Sequence, residues 1–363
     1  MRNKLLLIFL IIALNSCSNN KRSNQIECDL ASKSDFMSDV ESIELIPLEN
    51  KEVCYLGSGS RLIKTEKDYY ILDSGNSKKV LRFDEAGKLL NTIGNIGKGP
   101  NEYTKMNSFQ FIEDSLYCLV DKNKIFKYTK EGKLVGKNKI GFLVDEFIKF
   151  DDYYFFYTGY GNLSHKSRLL VADNNLQIKD KLLNHNSKMF HLEDVYIFSK
   201  DKTNLYIKEA FSSKILRYER DSLRPYRDFN FGSYSIKDSF FESKDFIKAF
   251  QKMLSKGFCL TNKYFKSGKY ELVNIFKQKD MNTDKILGFN NGTVWTWYNS
   301  KPNDILNLIS DSIHYLDNKT IVGVIDAVDC LDLKEIFGKK VNTEIYNKLE
   351  EDSNSLIIKI HMK

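Results

Sequence analysis

The chain has 363 residues, of which 42% are hydrophobic, 13% aromatic and 28% charged. This composition supports a sizeable core and excludes wholesale disorder, and the count of only 4 prolines excludes a collagen-like or proline-rich linker protein. The 55 basic and 48 acidic residues are interspersed and give a net charge of +7, which does not indicate nucleic-acid binding. The 25 Phe and 20 Tyr favour strands over helical bundles.

The first residues have the order of an export signal. Arg2 and Lys4 precede an apolar run over residues 5–14, which is too short to span a bilayer because about 20 residues are needed. Asn15, Ser16 and Cys17 follow, in a pattern that resembles a bacterial lipobox. We therefore expect a signal peptide over residues 1–16, a lipidated Cys17 that begins a flexible tether over 17–38, and a folded domain over 39–363. The alternative is a plain secretory peptide in which the cysteine has no role.

The other cysteines are an odd number, so they cannot all pair with one another. None forms a CxxC motif, and no histidines lie at zinc-finger spacing. We expect most of them to be small buried hydrophobic residues. The alternative is that two of them form one disulfide in an oxidising compartment. They are Cys28, Cys54, Cys118, Cys259 and Cys330.

A pair of β-rich runs separated by a polar turn recurs along the chain. Phe83, Tyr128 and Tyr218 hold equivalent positions, spaced by 45 and then by 90 residues, which is two repeats. Repeats of about 40–50 residues with an apolar period of two are typical of β-propeller blades. The sequence therefore predicts an all-β fold, a six-bladed β-propeller of four-stranded antiparallel blades. The predicted blades are residues 51–95, 103–140, 146–184, 192–232, 262–290 and 292–330.

A glycine-rich segment lies between the first two predicted blades. Gly97, Gly99, Pro100, Glu102 and Tyr103 follow the pattern Gly-x-Gly-Pro-x-Glu-Tyr. A phosphate-binding loop is rejected because neither Gly-Lys-Ser/Thr nor a helical pattern follows. We expect a structural role, in which the glycines and proline shape the crossing, the glutamate binds backbone N–H groups and the tyrosine wedges between blades.

This segment resembles the signature of the Bacteroidota six-bladed β-propeller lipoproteins, which are relatives of NHL-repeat and TolB-like propellers. The resemblance covers the mature chain and implies the fold and an envelope location, but almost nothing about the ligand. Members that reach the cell surface tend to carry acidic residues after the lipidated cysteine, whereas this chain has Lys21 and Arg22. The resemblance thus implies a lipid anchor in the outer membrane and a periplasm-facing protein.

Predicted blade two is rich in lysine. We favour a solvated outer edge, where lysine discourages pairing between molecules; the alternative is a patch for anionic headgroups or an acidic glycan. The residues are Lys122, Lys124, Lys127, Lys130, Lys133, Lys137 and Lys139.

The histidines are few. His185 and His191 lie near Glu193 and Asp194, but ligands of a channel metal should come from equivalent positions on several blades, and these residues share one loop. We therefore predict no metal and no cofactor. The remaining histidines are His165, His314 and His361.

A helical insertion is predicted between blades four and five, over about 240–257. Ser243 suits the N-cap and Gly257 the C′ position, and an apolar stripe favours packing over a lid. The stripe is Phe246, Phe250, Met253 and Leu254. A second, weaker helix is predicted over residues 340–352.

Trp295 and Trp297 are predicted on one face of a strand in blade six. Such a pair can be an aromatic platform for sugars on the ligand face, but it is more often blade packing. Two further strands, over 43–48 and 355–361, are expected to pair and close the propeller.

The leading functional hypothesis is a non-catalytic envelope lipoprotein that binds or scaffolds a protein, peptide or glycan partner and no nucleic acid. The alternative is a metal-dependent hydrolase or lyase with its site in the propeller channel. The chain has neither a Gly-x-Ser-x-Gly elbow nor an HExxH motif, which favours the binding protein.

Overall fold

The computed structural model describes residues 24–57, 60–159, 166–184, 196–209, 211–237, 240, 245–280, 282–301, 304–341 and 344–363. These residues form six sheets, which are the blades of a β-propeller. Each blade has four antiparallel strands, and blade four gains a fifth, parallel strand, so the predicted fold class is confirmed. Within the described ranges, no helix combines the length and the apolar character needed to cross a membrane.

The N-terminal segment supplies strands to two blades that lie far along the chain. It contains β1 (Gln25–Glu27), α1 (Phe36–Asp39) and β2 (Val40–Pro47). Blade one then follows with β3 (Arg61–Lys64), β4 (Asp68–Leu72), β5 (Val80–Asp84) and β6 (Leu89–Ile93). Blade two contains β7 (Met106–Ile112), β8 (Ser115–Val120), β9 (Lys124–Thr129) and β10 (Leu134–Lys139).

Blades three and four continue the same meander. Blade three contains β11 (Glu146–Phe150), β12 (Tyr153–Tyr157), β13 (Ser167–Ala172) and β14 (Ile178–Asn184). Blade four contains β15 (Phe198–Lys200), β16 (Leu205–Lys208), β17 (Lys214–Glu219) and β18 (Ser222–Asn230).

Blades five and six differ from their predicted boundaries. Blade five contains β19 (Phe258–Ser267), β20 (Tyr270–Lys279), β21 (Asn282–Asn290) and β22 (Trp295–Asn299). Blade six contains β23 (Ile313–Asp317), β24 (Thr320–Ile325), β25 (Leu356–Met362) and β2. The tryptophan strand therefore belongs to blade five, and the prediction of blade six over 292–330 is wrong.

Closure of the ring occurs in blade six, as predicted. The N-terminal β2 pairs antiparallel with the C-terminal β25, and Ile43 lies opposite Ile360. This pairing makes β2 the outer strand of a blade whose other strands come from the C-terminal end of the chain. Joining the two ends gives β25 a partner on both sides and ties the N-terminal segment to the C-terminal strand.

The helices lie outside the sheets. They are α2 (Phe246–Lys256), α3 (Ile305–Ile309), α4 (Ala327–Asp332) and α5 (Lys334–Phe337). The insertion between blades four and five is confirmed, but the N-cap of α2 is Asp245, whose carboxylate accepts a hydrogen bond from the Lys248 N–H at 3.1 Å. Ser243 lies outside the described residues.

The second helix was predicted in the wrong place. Within residues 340–352, apart from 342 and 343, the structure has the last residue of a 3₁₀ turn over Gly338–Lys340 and a second 3₁₀ turn over Tyr346–Lys348, whereas α4 and α5 end before Gly338. Gly338 has a φ of 53°, a left-handed conformation that ends a helix without the steric cost of a Cβ atom.

The predicted tether ends earlier than residue 38. Strand β1 pairs in parallel with β18, with Ile26 opposite Phe229. Ile26, Cys28 and Leu30 pack on the apolar cluster between blades four and five. The chain is therefore held against the propeller from Gln25 onward.

The core consists of apolar layers between neighbouring blades, one for each of the six interfaces. The first strand of each blade is the innermost, because these strands contact one another in succession from β7 through β11, β15, β19 and β23 to β3. They surround the central channel. Parallel inner strands place equivalent residues of different blades at one depth of this channel.

Candidate functional site

The glycine-rich segment forms a compact crossing from blade one to blade two. Glu102 accepts a hydrogen bond from the Gly99 N–H at 2.8 Å, and a Cβ atom on Gly97 would lie 2.0 Å from its Oε2 atom. Tyr103 is 1% exposed and donates a hydrogen bond to the Lys78 carbonyl at 3.0 Å. Pro100 accepts a hydrogen bond at its carbonyl from Lys137. These contacts tie the crossing to blades one and two.

The tryptophan pair lies between blades four and five. Trp295 and Trp297 stack at 5.5 Å between ring centroids, and both meet Phe229 of blade four edge-on. Trp297 is buried, and a Cβ atom on Gly288 would lie 2.4 Å from its ring. The pair therefore packs against blade four, with Trp297 buried and Trp295 partly buried.

The lysines of blade two lie on its two outer strands, β9 and β10, and in the turns beside them. Lys137 and Lys139 lie exposed on the outer strand β10, and Lys122 pairs with Asp145 at 2.9 Å. Cys17 and the residues of the considered metal site, His185, His191, Glu193 and Asp194, lie outside the described residues, as does His165.

The other cysteines are unpaired thiols. Cys28 is half-buried, and the remaining four are buried: Cys54, Cys118, Cys259 and Cys330. Burial raises the pKa of Cys259 to about 12, so its thiol stays protonated at neutral pH.

A polar cluster that the sequence did not reveal lies in the channel. Each blade contributes one side chain from its inner strand or from the residue or two before it. We call this set the channel cluster: Arg61, Ser108, Glu146, Tyr196, Lys263 and His314.

One half of the channel cluster is an ion pair across three blades. Arg61 of blade one donates hydrogen bonds to Glu146 of blade three and, at 3.2 Å, to Ser108 of blade two. The second carboxylate oxygen of Glu146 accepts a hydrogen bond from the Ile197 N–H at 2.9 Å. Both carboxylate oxygens of Glu146 therefore have hydrogen-bond partners. Arg61, in contrast, uses only two of its five N–H groups in these bonds.

The other half centres on Tyr196. Its hydroxyl lies 2.7 Å from Nδ1 of His314, and its ring lies beneath two cations, at 4.4 Å from Lys263 Nζ and 5.4 Å from Arg61 Cζ. Lys263 donates hydrogen bonds to the carbonyls of Asp311 and Ile313 at 2.6 and 2.7 Å. The phenol thus links the charged half of the cluster to the histidine.

Burial changes the protonation of the cluster. Burial and the neighbouring Lys263 and Arg61 hold the pKa of His314 well below its usual range, so the imidazole is neutral at pH 7. Burial raises the pKa of Tyr196 and keeps the phenol protonated. Burial lowers the pKa of Lys263 to about 7; Asp311 opposes this shift, and nearby cations reinforce it. The imidazole and the phenol of the cluster are therefore neutral hydrogen-bonding groups at pH 7.

A cavity of about 460 Å³ opens beside the cluster. Arg61, Tyr196 and His314 form its floor, and it extends toward the end of the channel where the inner strands finish. Among the described residues, its lining contains four cationic side chains and no carboxylate. The apolar walls include Phe111, Ile148, Phe198, Phe265 and Leu316, and the cations beyond Arg61 are Lys64, Lys200 and Lys266.

His314 has unused hydrogen-bonding capacity. It is 6% exposed, and its Nε2 atom has no partner among the described residues. A buried polar atom without a partner carries an energetic cost and is uncommon in native proteins. The described residues contain no group of three or more metal-ligating side chains. The cavity floor is therefore suited to a ligand that hydrogen-bonds and carries negative charge.

The fold and the cavity define a six-bladed β-propeller with a polar channel floor. The chain belongs to the family described as Domain of unknown function (DUF4934), which matches residues 23–361. No curated protein matches the sequence.

The chain is similar to several solved structures at low sequence identity. A protein of Bacteroides fragilis NCTC 9343, described as exported, is 17% identical with a TM-score of 0.73, over 93% of this chain and 99% of that one. The extracellular domain of a hybrid two-component system from B. thetaiotaomicron is 11% identical with a TM-score of 0.42, over 86% and 39%. PorZ of Porphyromonas gingivalis is 9% identical with a TM-score of 0.37, over 74% and 36%.

Proposed function

We propose that this chain is a cell-envelope lipoprotein whose propeller binds a partner without catalysis. Cys17 would anchor it to the outer membrane, facing the periplasm, and the partner, a protein, peptide or glycan, would insert an end group into the channel cavity. The observation that carries the proposal is the cavity itself. Its floor is polar and cationic, its walls are aromatic and aliphatic, and its volume of about 460 Å³ lies within the usual range for small-ligand sites.

The anchor is supported by the order of features at the N-terminus. A basic start, a short apolar run and Cys17 follow one another, and the B. fragilis protein that shares the fold is described as exported. The six sheets are built from residues 25–362, so the anchor and the binding module can be tested separately.

Replacing the lipidated residue tests the anchor. We expect Cys17→Ala to abolish fatty-acid labelling and to release the protein from the membrane fraction, because a chain anchored by acyl groups alone has no other hold on the bilayer. Cys118→Ala, at a buried thiol inside blade two, is the matched control and should retain labelling. A Cys17→Ala protein that still labels and sediments with membranes would contradict the anchor.

A thermal-shift screen of the soluble chain that starts at Ser18 tests the binding module. The panel contains peptides, oligosaccharides, peptidoglycan fragments, and divalent metals with and without chelator. A ligand at a hundredfold excess over its Kd stabilises the native state by about 2.7 kcal/mol. We expect a shift with a peptide or sugar. A shift given only by a metal and lost on chelation would contradict the non-catalytic function.

A further inference from the structure

We propose that the floor of the channel cavity binds a carboxylate group carried on an apolar body. This inference rests on the proposed function and adds the chemistry of the group that enters the cavity. The carboxylate would lie between Arg61 and the Tyr196–His314 pair, with its apolar part against the aromatic walls. The group can belong to a free organic acid or to the C-terminus of a peptide.

The geometry of Arg61 favours a carboxylate. Its hydrogen bonds to Ser108 and Glu146 leave three N–H groups without a partner among the described residues, and the side chain lines the cavity. A planar guanidinium binds a carboxylate through two parallel hydrogen bonds. Glu146 already offsets part of the guanidinium charge, so the floor suits a single negative charge better than a phosphate dianion.

The Tyr196–His314 pair adds a second, independent feature. The phenol can donate to Nδ1 of His314 across their 2.7 Å contact, and the imidazole then carries its proton on Nε2, the atom without a partner. In this tautomer the histidine is a hydrogen-bond donor at the cavity floor. A carboxylate oxygen would satisfy a buried donor that the described residues leave unpaired.

The walls determine what the carboxylate is attached to. Phe111, Phe198 and Phe265 lie above the floor together with Ile148 and Leu316. The neutral polar side chains of the lining are Thr65, Gln110, Ser199 and Tyr315 beside the two of the floor. A glycan would bury many hydroxyl groups against this apolar surface without partners. An aryl or branched aliphatic carboxylic acid, or a peptide that ends in such a residue, matches the walls.

Isothermal titration of the soluble chain from Ser18 tests the inference. The probes are 3-phenylpropionate, its neutral amide, phenyl phosphate, and a five-residue peptide ending in phenylalanine with a free or an amidated C-terminus. A hydrogen bond to a charged group predicts that the acid binds about tenfold more tightly than the amide, or more. Tighter binding of the free-ended peptide than of phenylpropionate would identify a peptide C-terminus as the source, and the reverse would identify a free acid.

Variants at the ion pair identify the site. Arg61→Lys keeps the charge but loses the planar fork, and we expect affinity for the acid to fall about tenfold. The double variant R61M/E146Q removes both charges and keeps an acceptor for the Ile197 N–H, so it should fold and lose the preference for acid over amide. Arg82→Lys is the matched control, because Arg82 pairs with Asp68 away from the cavity.

Each outcome separates the inference from the proposed function. Equal binding of acid and amide, unchanged preference in R61M/E146Q, or tighter binding of phenyl phosphate would overturn the carboxylate assignment. If a neutral ligand then competes with the bound probe for the same cavity, the proposed function is retained. If no member of this panel or of the wider thermal-shift panel binds, both fail.

Discussion

Two buried ionic clusters in this propeller differ in how fully their hydrogen bonds are used. In the cluster between blades four and five, Glu271 accepts hydrogen bonds from Arg227 at 2.6 and 3.0 Å and from Tyr264 at 2.8 Å. Tyr226 and Asn290 donate to it at 3.3 and 3.5 Å, and Lys266 Nζ lies 3.8 Å away. Among the described residues, no buried polar side-chain atom of this Glu271 cluster lacks a partner.

In the channel cluster, by contrast, some hydrogen-bonding atoms have no partner among the described residues. Glu146 is saturated, but His314 Nε2 has no partner in the described part of the chain, and a cavity opens at Arg61. A fully satisfied network rigidifies a fold, whereas an unfilled one has capacity for a ligand. The comparison indicates that the Glu271 cluster holds two blades together, whereas the channel cluster keeps the unpartnered group that the proposed binding site requires.

The largest expected effect comes from breaking the saturated cluster. Glu271→Ala leaves the Arg227 guanidinium without its partner in a largely buried site, which costs about 3–5 kcal/mol in the free energy of unfolding. Urea unfolding followed by circular dichroism measures the loss. Asp284→Ala removes an exposed carboxylate 3.6 Å from Lys277 and should cost less than about 1 kcal/mol. Similar losses in the two variants would show that the Glu271 cluster does not hold the blades together.

A smaller effect is expected from the pH dependence of the channel cluster. The pKa of Lys263 is about 7 in the folded chain, below its ordinary value of 10.5. Between these values the unfolded chain binds more protons, so the contribution of Lys263 to stability rises with pH. From pH 7.5 to 9 this rise is about 2 kcal/mol. The rise is measured as the change with pH in the difference in unfolding free energy between wild type and Lys263→Met. Taking this difference cancels the contribution of the other titrating groups. A constant difference over this interval would contradict the lowered pKa.

Local patterns explain why most of the fold could be predicted. Alternating apolar strands and hairpin turns mark blades one to four, and the Glu102–Gly99 contact spans only three residues. Blade five was misplaced because β19, β20 and β21 run almost without interruption from Phe258 to Asn290. Strand β1 was missed because it has three residues and pairs with a strand about 200 residues away.

The channel cluster could not be found in the same way. Arg61 and Glu146 are 85 residues apart, and Tyr196 and His314 are 118 residues apart. Each blade contributes one residue, on its inner strand or just before it, so no local motif arises. Only the closure of the ring brings the residues together. The available signal was a charged residue at the start of an inner strand, as at Arg61 and Glu146, where a blade otherwise contributes apolar residues.

The smallest expected effect on stability compares the phenols of the two clusters. Tyr196→Phe removes a neutral hydrogen bond to His314 and should cost about 1 kcal/mol, whereas Tyr264→Phe removes a bond to the charged Glu271 and should cost about 1.5–3 kcal/mol. The loss of affinity for 3-phenylpropionate should show the opposite order, with the larger loss in Tyr196→Phe. Without the phenol, His314 is no longer held in the tautomer that donates from Nε2, so Tyr196→Phe should weaken binding of 3-phenylpropionate several-fold, and Tyr264→Phe should leave it unchanged. Equal affinities in the two variants would mean that the channel cluster, like the Glu271 cluster, only holds blades together.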